Sequence, residues 1–243
     1  MPFEARISDS GLAKRVDSFL DTLDIAKLYK EYSWDRDTWE NGFPEILKLE
    51  VSISEAAWNN AIQTSHLIQI AEWGRLREPS RVKLTGDLGI PFYDGGHIYE
   101  WVDRHPAMYL DRLDRVITGY GPTYSTKFLR FAVPSEFGAI DTRLVRVFGR
   151  GDIKNKKMDF LKLAVQSSNG GSIKTSKDTW PSEYATWVNI LRYIAQKLND
   201  AGILCPHPQN FIDAGLREGG EWFCADVEMA LFSYATHCIY SRE

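Results

Sequence analysis

Apolar residues recur at intervals of three and four along most of this chain, and the runs break at glycine, proline or small polar clusters. Such spacing builds amphipathic helices and leaves little room for a large sheet. Between residues 10 and 32, Leu12, Val16, Phe19, Leu20, Leu23, Ile25 and Leu28 predict one helix or a pair, with Ser10 as the first cap. A second run leads from a cap at Ser54 through Trp58, Ile62, Ile68 and Ala71 to Trp73, and Gly74 ends it. Further helices are predicted over 106–117, 122–132, 141–150, 158–168, 181–201 and 223–238. Ser182, Glu183 and Asp226 lie near helix starts, where carboxylates and hydroxyls meet unpaired N–H groups. The β-branched stretch Ile46 to Ile53 suggests a small strand or hairpin, and 85–96 and 169–172 read as loops. Nothing resembles alternating strand–helix units, so the expected class is all-α. We divide the chain into an N-terminal helical extension, 1–53, and one module, 54–243.

Composition narrows the function classes. With 243 residues, 44% of them hydrophobic, the chain is long enough to bury a core. It holds no apolar run long enough to span a bilayer, and its start lacks the basic-then-apolar order of a secretion signal. A cytoplasmic, monomeric protein is expected. Cys205, Cys224 and Cys238 form no C-x-x-C pair and read as buried thiols, so no metal site is expected. The net charge of −4 discourages a polyanionic partner, yet residues 104–178 carry fourteen Lys or Arg against seven Asp or Glu. That third is +7 and the remainder −11, as suits a single surface facing a polyanion, although clustered charge also decorates solvated helices.

The cationic third contains the most informative motif. A helix bearing Leu110, Leu113 and Ile117 on one face stops at Gly119-Tyr120-Gly121, and Pro122 stands where the next helix begins. Two glycines permit close backbone approach, and a helix N-terminus offers free N–H groups to a phosphate. The same turn also serves purely steric ends. Downstream, Asp141 in Ile140-Asp141-Thr142-Arg143-Leu144-Val145-Arg146-Val147 reads on its own as a helix cap.

Taken together, the hairpin, the interval of eighteen residues from Thr123 to Asp141 and the Asp-Thr segment resemble the helix-hairpin-helix DNA glycosylases, over about residues 106–150. The resemblance is nearest to the 8-oxoguanine branch. It implies a two-lobed helical fold in which Asp141 is the catalytic carboxylate, facing the anomeric carbon of a flipped-out nucleotide. It further implies DNA as partner, with backbone contacts from Gly119, Tyr120, Gly121, Thr123, Lys127, Arg143 and Arg146. Members that also cut the strand carry a lysine where this chain has Thr123, and a hydroxyl cannot form a Schiff base. The expectation is therefore a monofunctional glycosylase that leaves an abasic site. Lys127, one turn further along, reads as a displaced lysine or a solvated, phosphate-facing one, and Lys154, Lys156, Lys157 and Lys162 extend the basic run. No cofactor is expected, apart from a monovalent cation that the carbonyls of Thr118 and Tyr120 would hold.

For the base pocket, stacking and edge-reading candidates are Trp73, Tyr93, Trp222, Phe223 and Asp226, with Trp101 flanking the loop before the hairpin. Each is equally suited to the core. Within the resembled family, substrates include oxidised purines and, in phage defence, bulky glucosylated cytosines. The pairs Glu72-Trp73 and Glu221-Trp222 place carboxylates beside indoles, as a sugar-recognising pocket does, so both substrate types stay open. A noncatalytic DNA-binding module that recruits a repair or defence partner is the alternative.

Overall fold

The computed structural model describes residues 7–89, 91–151, 158–166, 171–176 and 179–240, apart from the side chains of Trp101 and Asp103. The fold is mainly helical, with short antiparallel strand pairs. Helices α1 (Ser10–Leu20) and α2 (Ile25–Lys30) lead into a hairpin of β1 (Ser33–Trp34) and β2 (Asp37–Thr38), then α3 (Pro44–Trp58) and α4 (Thr64–Trp73). Next come β3 (Lys83–Leu84) and a second hairpin, β4 (Tyr93–Asp94) with β5 (His97–Ile98). Helices α5 (Glu100–Arg104) and α6 (Pro106–Val116), strand β6 (Ile117–Thr118), α7 (Pro122–Ala132) and α8 (Thr142–Phe148) follow. Strands β7 (Ala164–Gln166) and β8 (Ser172–Lys174) form a third hairpin, and α9 (Trp180–Asp200), α10 (Gln209–Asp213) and α11 (Cys224–Tyr240) complete the chain.

Several sequence expectations change here. Asp9, not Ser10, caps α1, its carboxylate accepting from Gly11 N and Leu12 N. The stretch 46–53 is helix rather than strand, although Leu47 to Ile53 alternate apolar and polar residues. Ile46, Leu49 and Ile53 share one buried face at helical spacing, while Val51 is left exposed. The buried Asp37 carboxylate accepts from Glu45 N and Ile46 N and fixes the helix start. Ser54 therefore lies inside α3, its hydroxyl donating to Glu50 O, and the helix predicted onward to Trp73 is broken at residues 59–63. A boundary at 53/54 cuts α3.

Residues 158–166 form no helix, because the chain turns back along α8: Arg150 N donates to Leu163 O and β7 pairs with β8. Of the predicted 169–172 loop, Gly171 turns with positive φ and Ser172 starts β8, while 169 and 170 lie outside the described residues. Glu183 caps nothing in α9; its carboxylate accepts from Lys162 N at 2.5 Å.

One hydrophobic core runs from Leu12 to Ala235 and takes in the proposed N-terminal extension. Helix α11 packs against α2, α8 and α9, and α3 packs against α7. Among the described residues no helix is long and apolar enough to cross a membrane.

Candidate active site

Helices α6 and α7 pack against each other and are joined through β6 and the Gly119-Tyr120-Gly121 turn. The turn is held from outside: β6 pairs with β3, Lys83 opposite Thr118, a strand pairing that helical periodicity does not reveal. Gly119 has φ +86°, and a Cβ there would sit 2.9 Å from Arg81 O, so this position requires glycine. Gly121 caps α7 with open space beside it, and Pro122 is the first helical residue. Tyr120 anchors the turn inward, its hydroxyl donating to Leu67 O at 2.6 Å. Thr123 is half-buried, and its carbonyl accepts from Thr126 Oγ1 within α7.

Asp141 caps α8. Its Oδ1 accepts from Arg143 N at 2.9 Å and Leu144 N at 3.0 Å, which fixes the carboxylate while the residue stays half-exposed. Phe137 to Ile140, which deliver it, are largely buried: Tyr184 and Trp187 donate to the carbonyls of Gly138 and Ala139, and Thr126 Oγ1 accepts from Ile140 N. Gly138 allows a close approach to α11, since a Cβ there would meet Glu228 Cβ at 2.9 Å.

Lys127 is buried, not solvated or phosphate-facing as its spacing suggested. Its ammonium lies 4.7 Å from the centre of the Trp73 ring, 5.2 Å from Trp34 and 5.3 Å from Tyr124. Gly74 makes room, as a Cβ there would stand 3.0 Å from Lys127 Nζ and 2.7 Å from Tyr124. Burial pushes the ammonium below its usual range, and the Asp141 and Glu228 carboxylates oppose that shift.

Trp34 is a site residue that sequence reasoning missed. It comes from the β1–β2 hairpin, donates through Nε1 to Trp73 O, and faces Lys127, Arg75 and Arg143. The one local signal is the hairpin itself, where Asp35 turns at φ +56° and pairs with Arg75 at 2.8 Å. Arg143 spans the rings of Trp34, Phe232 and Tyr240. Arg146 points elsewhere, towards Gly171 at the β7–β8 hairpin. Lys154, Lys156 and Lys157 lie outside the described residues, and Lys162 is exposed.

The expected base-pocket residues do not converge. Trp73 stands beside Lys127, with Nε1 donating to Asp37 Oδ2 at 2.8 Å. Its ring also borders a cleft of about 350 Å³ between Asp35, Asp37, Glu45, Gln69 and Glu72. Tyr93 packs against the half-exposed Trp58 instead. Trp222 is core: it is 2% exposed and donates to Ile203 O. Phe223 lies under the Arg217 guanidinium. Asp226 is 0% exposed and engaged by Arg217 Nε and Nη2, so its carboxylate is not free to read a base.

That pair belongs to a buried charge network. Arg217 bridges Asp226 and Glu50, Glu50 meets Arg130 at 3.5 Å, and Arg130 Nε lies 3.8 Å from Glu228. Three carboxyls face two guanidiniums, so one carboxyl is in excess. Burial pushes Glu228 up to about 8, with Arg130 opposing and Asp141 adding to the rise. Burial also works to raise Asp226, but the charge and hydrogen bonds of Arg217 outweigh it and hold that carboxyl below its usual range.

No family model, curated protein or solved structure matches this chain.

Proposed function

We propose that the protein is a DNA glycosylase of helix-hairpin-helix type, which flips a modified base out of the duplex and hydrolyses its N-glycosidic bond. The observation that carries this reading is Asp141: a carboxylate fixed by two backbone N–H groups, half-exposed, with an ammonium and an indole cage nearby. An ionised carboxylate placed there stabilises the positive charge that grows on the sugar as the bond to the base breaks. It also orients water towards the anomeric carbon; the water oxygen bonds to that carbon, the leaving base takes the bonding electrons and the surplus proton, and an abasic site results. The Gly119-Tyr120-Gly121 turn and the α7 N-terminus serve the DNA backbone. The base removed is an 8-oxoguanine-type lesion or a bulky modified cytosine, and the cleft beside Trp73, lined by Arg36 and Lys48 as well as by Glu45 and Glu72, does not choose between them.

A second reading concerns the attacking group. Lys127 is an amine with lowered proton affinity in a water-poor cage near Asp141, the environment that makes lysine a nucleophile. In that case the Lys127 amine bonds to the anomeric carbon, the base leaves with the bonding electrons and a proton from the amine, the sugar ring opens as its oxygen takes the second amine proton to give an imine, and strand cleavage follows.

The deciding experiment is mass spectrometry of bases released from oxidised, alkylated and hypermodified DNA by wild-type protein and Asp141→Asn. Release by the wild type alone is expected. Binding with no release from any substrate favours a noncatalytic module, and release by the variant at the wild-type rate removes Asp141 from the mechanism. Borohydride trapping of a covalent complex would replace hydrolysis by the amine reading.

A further inference from the structure

We propose that Cys205, His207 and Asp226 form a buried binding site for a divalent transition-metal ion of zinc type, remote in sequence from the Asp141 segment and independent of the reading given for it. One ligand atom from each residue lies within 4.8 Å of the others, and all three residues are buried. The site is built locally. His207 N donates to Cys205 O at 2.9 Å, a tight turn about Pro206 that brings residues two apart together. Asp226, in the first turn of α11, supplies the carboxylate.

Two further observations point to a ligand. His207 Nε2 lies 2.8 Å from Glu221 O and therefore carries the ring proton, which leaves Nδ1 as a lone pair; Nδ1 is buried with no hydrogen-bond partner among the described residues. A ring N–H committed to a backbone carbonyl is how a metal-ligating histidine is usually oriented. The Tyr29 hydroxyl is likewise buried and unpartnered among the described residues, and its ring stands edge-on to His207 at 6.1 Å.

Thiolate, imidazole and carboxylate are the donor set that zinc accepts, and tetrahedral ligand atoms stand about 3.5 Å apart, so modest side-chain rotations close the set. Both Asp226 oxygens already accept, Oδ1 from Arg217 Nη2 at 2.9 Å and Nε at 3.3 Å, Oδ2 from Arg217 Nε at 3.0 Å and Phe223 N at 3.1 Å, so the ion takes the place of the longest of these, Arg217 Nε to Oδ1. Binding forms metal–sulfur, metal–nitrogen and metal–oxygen bonds and releases the thiol proton to solvent. The resulting clip would tie the 201–223 connection to α11.

The test uses the full chain expressed in zinc-supplemented medium and purified without chelator. We expect about one zinc per chain by plasma emission, and a thiolate-to-metal absorption band after exchange with cobalt chloride. Zinc chloride added to chelator-treated protein should raise Tm by about 5 °C or more. Cys205→Ser and His207→Gln should each lose the ion, and should either variant fail to fold, the wild-type cobalt spectrum and Tm shift carry the test. Wild-type protein with less than about a tenth of an ion per chain and no zinc-dependent Tm shift overturns the proposal. So does an ordered water alone among these side chains, a cobalt spectrum without the sulfur band, or a folded Cys205→Ser that retains stoichiometric zinc.

Discussion

The Lys127 ammonium lies 4.7 Å from the centre of the Trp73 ring, buried, on a helix whose sequence reads as a basic DNA-facing surface. The +7 charge of residues 104–178 is thus partly internal, because Lys127 and Arg130 both point into the protein. Neither can release counterions from DNA. Replacing Lys127 with Met should leave the salt dependence of DNA binding unchanged, whereas a phosphate-contacting lysine would lower its log–log slope by about 0.9. Binding isotherms at several salt concentrations check this.

Asp141 has separable structural and chemical duties. Asparagine caps helices nearly as well as aspartate, so Asp141→Asn should unfold within about 0.5 kcal/mol of wild type, while Asp141→Ala should lose about 1 kcal/mol. Base release should fall by about a hundredfold or more in both, as when a charge-stabilising group is removed from a transition state. Urea denaturation and single-turnover assays separate the two effects.

The raised Glu228 carboxyl makes stability depend on pH. Its ordinary value of 4.5 is shifted to about 8, so the folded state holds a proton that the unfolded chain loses. This contribution is complete below pH 4.5 and drains away as pH rises through about 8. Glu228→Gln should flatten the fall in stability across that interval. A Tm titration of both proteins measures it, and an unchanged slope would show that Glu228 does not hold the proton.

Breaking the buried network should be costly. Arg217→Met leaves the carboxylates of Glu50 and Asp226 buried without their bridge, a change worth about 3–5 kcal/mol in comparable settings. Chemical denaturation checks the size. A loss below about 1 kcal/mol would mean that those carboxyls take up protons on losing the arginine.

Gly119→Ala should destabilise the hairpin by more than about 1 kcal/mol, because positive φ and the Arg81 carbonyl both oppose a Cβ. Gly121→Ala meets open space at negative φ and should fold normally. Comparing DNA affinity of the two variants then separates the hairpin's fold from any contact it makes.

Much of the helical framework was legible, because a single buried stripe at three- and four-residue spacing leaves its period in the sequence. Helix α7 begins at Pro122 and ends at Ala132, as read, and α6, α9 and α11 differ from their predicted spans by few residues. The period failed at Ile46 to Ile53, where alternation mimics a strand while Glu50 occupies a core position. Among the described residues an arginine from α7 and another preceding α11 make that burial tolerable, and no local pattern announces them.

The sequence by itself determined the hairpin, the cap at Asp141 and the order of helices, since each depends on neighbours within a few residues. The tertiary structure alone decided which charges are buried and which aromatics surround them. Trp34 meets Lys127 across ninety-three residues of chain, and Asp226 answers to Arg217, which also reaches Glu50, rather than to solvent. Those pairings follow from how α3, α7 and α11 pack, because a charge enters a low-dielectric interior only where a partner from another element meets it there.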